Sequence, residues 1–334
     1  MKFPAIAVAG EALGFAARRY GAALRVAWAP LALIAILQLI APYLLFSIML
    51  GEWATPDRFP VERLQTMVDA YFGVALKSHP VAFGLAVVGL GAATLLLSSA
   101  ALAPLIRCAA TGEEPPMAVA RIDIRMRTLK LALAYFFCWA CAATVLTAPL
   151  SAQVFAHWAA APESGMPLFA YPPSSLFTRG GPPMLAAWAG LLLLLIAGFL
   201  VTLKLAPAPG FAAVENRFAL GSAWAATRGR LFGLFASTLL VGVSLFLVWL
   251  VLAVIVAPLA VAAGETAVHG VATALRFADP AAYDGPPVRT AGIVRTCLAI
   301  LFIGGFAVLQ YAAAAGLFGA VYRRLTAPSH DESA

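Results

Sequence analysis

The chain has 334 residues, of which 63% are hydrophobic and only 11% charged, with a net charge of +7. Its mean hydropathy is +0.92. Soluble domains carry roughly 25% charged and 45–50% apolar residues, so no water-soluble core accommodates this composition. It excludes a soluble enzyme, a fibre, a disordered tail and a disulfide-stapled secreted module, and leaves a protein that lives in a bilayer. Only helices and closed barrels span lipid. The apolar runs here are continuous, not alternating, which selects helices over a barrel.

In chain order, the N-terminal run at residues 3–10 is short and is followed by Glu11 and the pair Arg18-Arg19. No small-residue cleavage site closes the next run, so the segment reads as uncleaved and not as a signal peptide. Runs long enough to cross a bilayer fall at residues 28–50, 81–106, 131–155, 184–202, 231–263 and 297–322. The fifth is overlong and must tilt, kink or protrude. The expectation is an all-α polytopic bundle, one integral membrane domain over 1–334, with six spans in three hairpins.

Lys and Arg fall unevenly between the two sides that six spans define. The N-terminus, the second and fourth loops and the tail hold 15 of them, and the remaining loops hold 7. The positive-inside rule places both termini in the cytoplasm. The basic balance is thereby explained without nucleic acid, and no nucleic-acid partner is expected. Arginine outnumbers lysine 18 to 4 and Asn216 is the only asparagine, a bias that points to a GC-rich bacterial genome. The expected location is thus a bacterial inner membrane.

A basic, helix-compatible segment precedes each odd-numbered span. In the first, Glu11, Arg18 and Arg25 share a face, with Leu13 and Tyr20 roughly opposite. In the second, Val119, Ile122, Met126 and Leu129 form an apolar stripe, covered elsewhere by Arg121, Arg125, Arg127 and Lys130. In the third, Ser222 reads as an N-cap, and Trp224 and Arg228 at i, i+4 can touch. These segments read as helices along the cytoplasmic interface, where each cation near anionic headgroups gains about 1 kcal/mol. Anionic lipids are therefore the expected partners of Arg18, Arg19, Arg121, Arg125, Trp224, Arg228 and Arg230. Ala-Pro recurs in the outer half of each odd span at Pro42, Pro149 and Pro258. The spacing fits a threefold hairpin repeat, and equally three hairpins that merely share a length.

Of the outer loops, residues 51–80 carry Val61, Leu64, Val68, Tyr71 and Phe72 on one helical face, the pattern of an interfacial helix. Residues 156–183 are rich in Pro, Gly and Ser. Residues 264–296 carry a short helical pattern and then turn signals at Asp279-Pro280 and Asp284-Gly285. None reads as a folded domain.

Chemistry is sparse. All Lys, Arg, Asp, Glu and His fall outside the six spans as drawn, whereas ion-coupled transporters usually keep an ionisable residue at depth. Zinc-protease, nucleophile-elbow, Walker A and dinucleotide motifs are missing. Cys138 and Cys141 form C-x-x-C inside the third span, but the pair sits in the inner half and reads as small core residues. Four scattered cysteines give no metal site. Glu215 beside Arg217 reads as a helix-end partner, not a catalytic acid. No catalytic residue, metal or cofactor is expected.

Residues 213–235, AVENRFALGSAWAATRGRLFGLF, are the most recognisable stretch. Their elements are a turn with Glu215 and Asn216, a helix from Ser222, and Trp224, Thr227, Arg228, Gly229 and Arg230 leading into a span. The stretch resembles one in poorly characterised bacterial inner-membrane proteins of about six spans, similar to the membrane domain attached to some glycerophosphodiester phosphodiesterases. The soluble phosphodiesterase domain has no counterpart here, so the resemblance implies architecture and carries over no catalytic residue.

The functional expectation is a non-enzymatic accessory or scaffold protein. The alternatives are a transporter or channel for a lipid or poorly charged small molecule, and a membrane enzyme acting on lipid. Two intramembrane amides, Gln38 and Gln310, are expected to point into the bundle, where unpaired polar groups are costly, and to be able to meet between the first and last spans.

Overall fold

A computed structural model describes residues 3–50, 80–114, 124–138, 182–278 and 290–327. All regular structure among them is helical: α1 (Ala5–Arg18), α2 (Tyr20–Leu50), α3 (Pro80–Thr111), α4 (residues 126–138), α5 (Pro182–Leu205), α6 (Ala208–Glu215), α7 (Leu220–Ala226), α8 (Leu231–Ala278) and α9 (Thr290–Thr326). Five stretches are long and apolar enough to cross a bilayer: Tyr20–Gln38, Gly84–Thr111, Ile196–Glu215, Leu231–Leu259 and Ile293–Thr326. The chain is a multi-pass helical membrane protein. These stretches overlap the expected first, second, fourth, fifth and sixth spans. The expected third is described only as far as Cys138; Pro149, Cys141, Arg121 and the outer loops at 51–79 and 156–181 lie outside the described residues.

The helices overrun the spans drawn from composition. α2 begins at Tyr20, so Arg25 lies on the span helix itself and within the stretch Tyr20–Gln38, not outside it. α8 passes through Pro258 and runs 48 residues, about 72 Å at 1.5 Å per residue against a hydrocarbon core of about 30 Å. The short pattern expected after residue 263 is thus the same helix continued. Proline removes one hydrogen bond, but breaking the helix would strand several backbone groups with no water to receive them.

Burial concentrates at one end of the bundle. There α9 is the axis: Ala312, Ala313, Ala315, Leu317, Ala320 and Val321 are buried, surrounded by α1, α3, α6 and α8. Small residues make this possible. A Cβ on Gly316 would lie 2.8 Å from the Ala12 carbonyl oxygen, on Gly319 2.5 Å from the Ala109 Cβ, and on Gly210 2.9 Å from the Phe318 carbonyl oxygen. Lipid tails are as apolar as the side chains, so close backbone approach at small residues, not hydrophobic exclusion, drives such packing. At the other end the helices turn apolar faces outward: on α8, Val243, Leu247, Val251 and Val254 are exposed, Val254 by 78%, as are Ile300 and Leu301 of α9. These faces suit acyl chains.

One expectation about the first helices is corrected here. α1 packs against α9, with Glu11 at Arg323 and Arg324, Ala12 and Phe15 against Gly316, and Tyr20 donating to the Gly305 carbonyl at 3.0 Å. Its stripe of Val8, Ala9, Ala12 and Ala16 is fully enclosed, because small residues at helical spacing admit a neighbouring helix more closely than a lipid surface. The same register separates the amides. From the Tyr20–Gly305 bond, Gln38 lies roughly 27 Å along α2 in one direction and Gln310 about 7 Å along α9 in the other. They cannot meet, no hydrogen bond joins them, and both are exposed instead of pointing into the bundle.

Between α5 and α6 the helix breaks because Pro207 and Pro209 supply no N–H. Gly210 and Phe211 instead donate to the Pro207 carbonyl at 2.9 and 3.3 Å. The break turns α6 into the packed end, where residues 208–213 are all buried.

Candidate functional site

Among the described residues the ion pairs gather at the packed end. Glu11 accepts from Arg323 at 2.8 Å and from Arg324 at 2.5 Å. Arg19 reaches Glu114 at 3.4 Å, Arg107 pairs with Glu113, and Arg217 with Glu215. The Tyr322 hydroxyl lies 3.4 Å from the other Glu215 oxygen. Lys130 donates to the Asn216 carbonyl at 2.6 Å, and Arg230 to the Arg324 carbonyl at 3.4 Å. The N-terminal helix, the segment after α3, the segment between α5 and α8, and the end of α9 are thus tied together at one end. Burial would raise the Glu11 carboxyl, but the hydrogen bonds and charges of Arg324 and Arg323 outweigh it and hold the group below its ordinary value.

Arg18 folds back on its own helix, its Nε donating to the Gly14 carbonyl at 3.1 Å, and is exposed, as are Arg19, Arg125 and Arg228. Arg230 is half-buried. Met126 and Leu129, expected on an apolar stripe, do face outward on α4. Trp224 does meet a cation, but not Arg228: the Lys204 ammonium stands 4.1 Å over its ring. Lys204 was missed because it is 20 residues away in sequence, and only the α5–α6 break brings it to α7. The α7 N-cap is Ala219, with no side-chain cap bond, and Ser222 falls inside the first turn. The paired acids Glu113 and Glu114 carried no sequence signal beyond charge.

The turns of this region have backbone reasons. Asn216, at φ 53°, closes α6 in the left-handed region, which asparagine tolerates better than most residues. Gly229, at φ 70°, turns the chain from α7 into α8. Between them the buried Thr227 hydroxyl donates to the Trp224 carbonyl at 2.9 Å.

Deeper in the bundle the polar groups are few. Tyr311 donates to the Ser98 hydroxyl at 2.8 Å, and the Cys138 thiol to the Leu205 carbonyl at 3.3 Å. The Tyr135 hydroxyl and the Ser99 hydroxyl are buried without a partner. Among the described residues no three His, Cys, Asp or Glu side chains gather in a way that could hold a metal. Compared with family models, curated proteins and solved structures, the chain matches none of them.

Proposed function

We propose that the protein is a non-enzymatic accessory or scaffold protein of a bacterial inner membrane, with its basic end at anionic headgroups on the cytoplasmic side. The observation that carries this reading is how that end is filled. The inner half of α9 is enclosed on all sides by small residues in backbone-to-backbone contact, and the charges around it are spent largely on one another. A transporter or channel would have to part these contacts and the Glu11 clamp in every cycle, and an enzyme acting on lipid would need a free acid or base at one membrane face, whereas Glu11, Glu113, Glu114 and Glu215 are each held by arginine.

Six spans with both termini cytoplasmic complete the proposal, and the ties at the packed end support it. Lys130 donates to the Asn216 carbonyl, which sets the start of the expected span at 131–155 and the segment after α5 side by side at one end, as a reading with paired crossings between them requires. The excess of Lys and Arg on the tied segments points them inward. The resemblance of residues 213–235 to the membrane domain of some glycerophosphodiester phosphodiesterases fits the same architecture.

Reporter fusions at residues 115, 215 and 330 should behave as cytoplasmic, and those near 65, 170 and 280 as external; one swapped reporter removes or adds a span. The scaffold reading is tested by proteoliposomes. Flux of small solutes and translocation of a fluorescent lipid should equal those of empty vesicles, and a clear excess of either would establish the transporter instead.

A further inference from the structure

We propose that the corner between α7 and α8 binds the phosphate of one anionic phospholipid, held by Lys204, Arg228 and Arg230 with Trp224 as its floor. The proposal rests on the lipid-facing orientation above and deepens it from a general basic rim to a single site.

Depth is the first argument. The Phe199 and Phe235 rings meet edge to face, centroids 5.5 Å apart. Lys204 follows Phe199 by five residues on α5, and Arg230 precedes Phe235 by five on the antiparallel chain entering α8. Both cations therefore descend about 7 Å from one aromatic pair and share a level. Arg228 stands in the turn that Gly229 closes. Cations at one level with a wholly apolar ring pair about 7 Å above them match a phosphate layer beneath the start of the acyl region.

Charge is the second argument. The described carboxylates at this end are engaged by other arginines: Glu11 by Arg323 and Arg324, Glu113 by Arg107, Glu114 by Arg19 and Glu215 by Arg217. Among the described residues no ion pair neutralises Lys204, Arg228 or Arg230. Arg230 spends one donor on the Arg324 carbonyl and keeps others of its planar fork, which suits phosphate oxygens. The third argument is the rim. Phe232 is 83% exposed two residues past Arg230, an apolar side chain placed where the lipid's own chains would lie. A soluble anion would gain nothing from it.

The test uses the full-length protein in mixed micelles with brominated phosphatidylglycerol or brominated phosphatidylcholine. The quenching that Trp224→Phe removes is taken as the signal of this site. Phosphatidylglycerol should quench it several-fold more than phosphatidylcholine, and R228Q/R230Q should bring the two lipids level, while R228K/R230K retains most of the preference and shows that the corner still folds. Inorganic phosphate should not displace the lipid; displacement by it would assign the site to a soluble phosphate and overturn the proposal. Undiminished quenching in R228Q/R230Q would also overturn it. In that case, a phosphatidylglycerol preference in vesicle flotation that R18Q/R19Q abolishes would leave the general interface standing, and no preference in the wild-type protein would remove both.

Discussion

Gly319→Ala should loosen the packed end although it adds only a methyl group. In an open helix such a change is favourable by up to about 1 kcal/mol, since glycine is a poor helix former. At Gly319 the new Cβ would lie 2.5 Å from the Ala109 Cβ and 2.9 Å from both the Ala109 carbonyl carbon and the Ala110 nitrogen. Carbon atoms rest at about 3.5–4.0 Å, so α3 and α9 must separate by roughly 1 Å. Two of the three atoms are backbone and no rotamer can relieve them. Overpacking of this kind costs about 1–3 kcal/mol. Gly304→Ala is the control: it lies on the same helix with nothing within 4 Å of its Cβ. The two variants should differ by about 1–3 kcal/mol, with Gly304→Ala equal to or above wild type and Gly319→Ala below it. Thermal unfolding in detergent, followed by near-ultraviolet circular dichroism, reads the difference. If Gly319→Ala melts at or above Gly304→Ala, α3 and α9 are not in backbone contact there and the account of the packed end fails.

Glu11→Gln should cost up to about 1 kcal/mol at neutral pH, as partly exposed ion pairs do. Because the Glu11 carboxyl is held below its ordinary value, that contribution is fully present above about pH 4.5 and is lost as pH falls through the lower folded value; the melting points of wild type and Glu11→Gln should converge in acid, and a constant gap would refute the pairing. Asn216→Gly should be tolerated and Asn216→Ala should lower stability by about 1 kcal/mol, since the position is left-handed; equal melting of the two variants would contradict the cap. Gln38→Leu and Gln310→Leu should each leave the fold intact or firmer, because both amides are exposed and unpaired with each other; an additive double variant checks that they do not interact, and a coupling above about 0.5 kcal/mol would show that they do.

What could be read from the sequence was what depends on composition along one helix. Five of the expected spans overlap apolar helices because about 20 apolar residues suffice to announce a crossing, whatever lies beside it. What could not be read depends on neighbours. Glu11 and Arg18 on α1 and Arg25 on α2 looked like one basic surface helix, while the stripe that is buried, Val8, Ala9, Ala12 and Ala16, is mostly alanine and gives little apolar contrast in a helical pattern. Its partner, Gly316, lies 304 residues from Ala12, and no local pattern reveals that a glycine and an alanine so far apart will touch. The Gln38–Gln310 expectation failed for a related reason. Counting from span centres assumes that helices start at one depth, whereas α2 begins at Tyr20 and is set by its bond to Gly305.

The stretch at residues 213–235 shows why recognisability and chemistry part company here. Its distinctive residues each serve the local backbone or its packing. Asn216 takes a left-handed backbone, Ala223 is fully enclosed, Trp224 lies under Lys204, Thr227 ties its hydroxyl to the turn, and Gly229 permits the bend into α8. Glu215, the one carboxylate, is held by Arg217 and faces Tyr322. These causes are those of a chain that leaves one helix, passes through a short helix and enters another, and each is local to the turn. By the same logic, the residues able to distinguish this protein from others of like build are those the turn does not require: Arg228 and Arg230, whose charge neither the αL cap nor the bend explains.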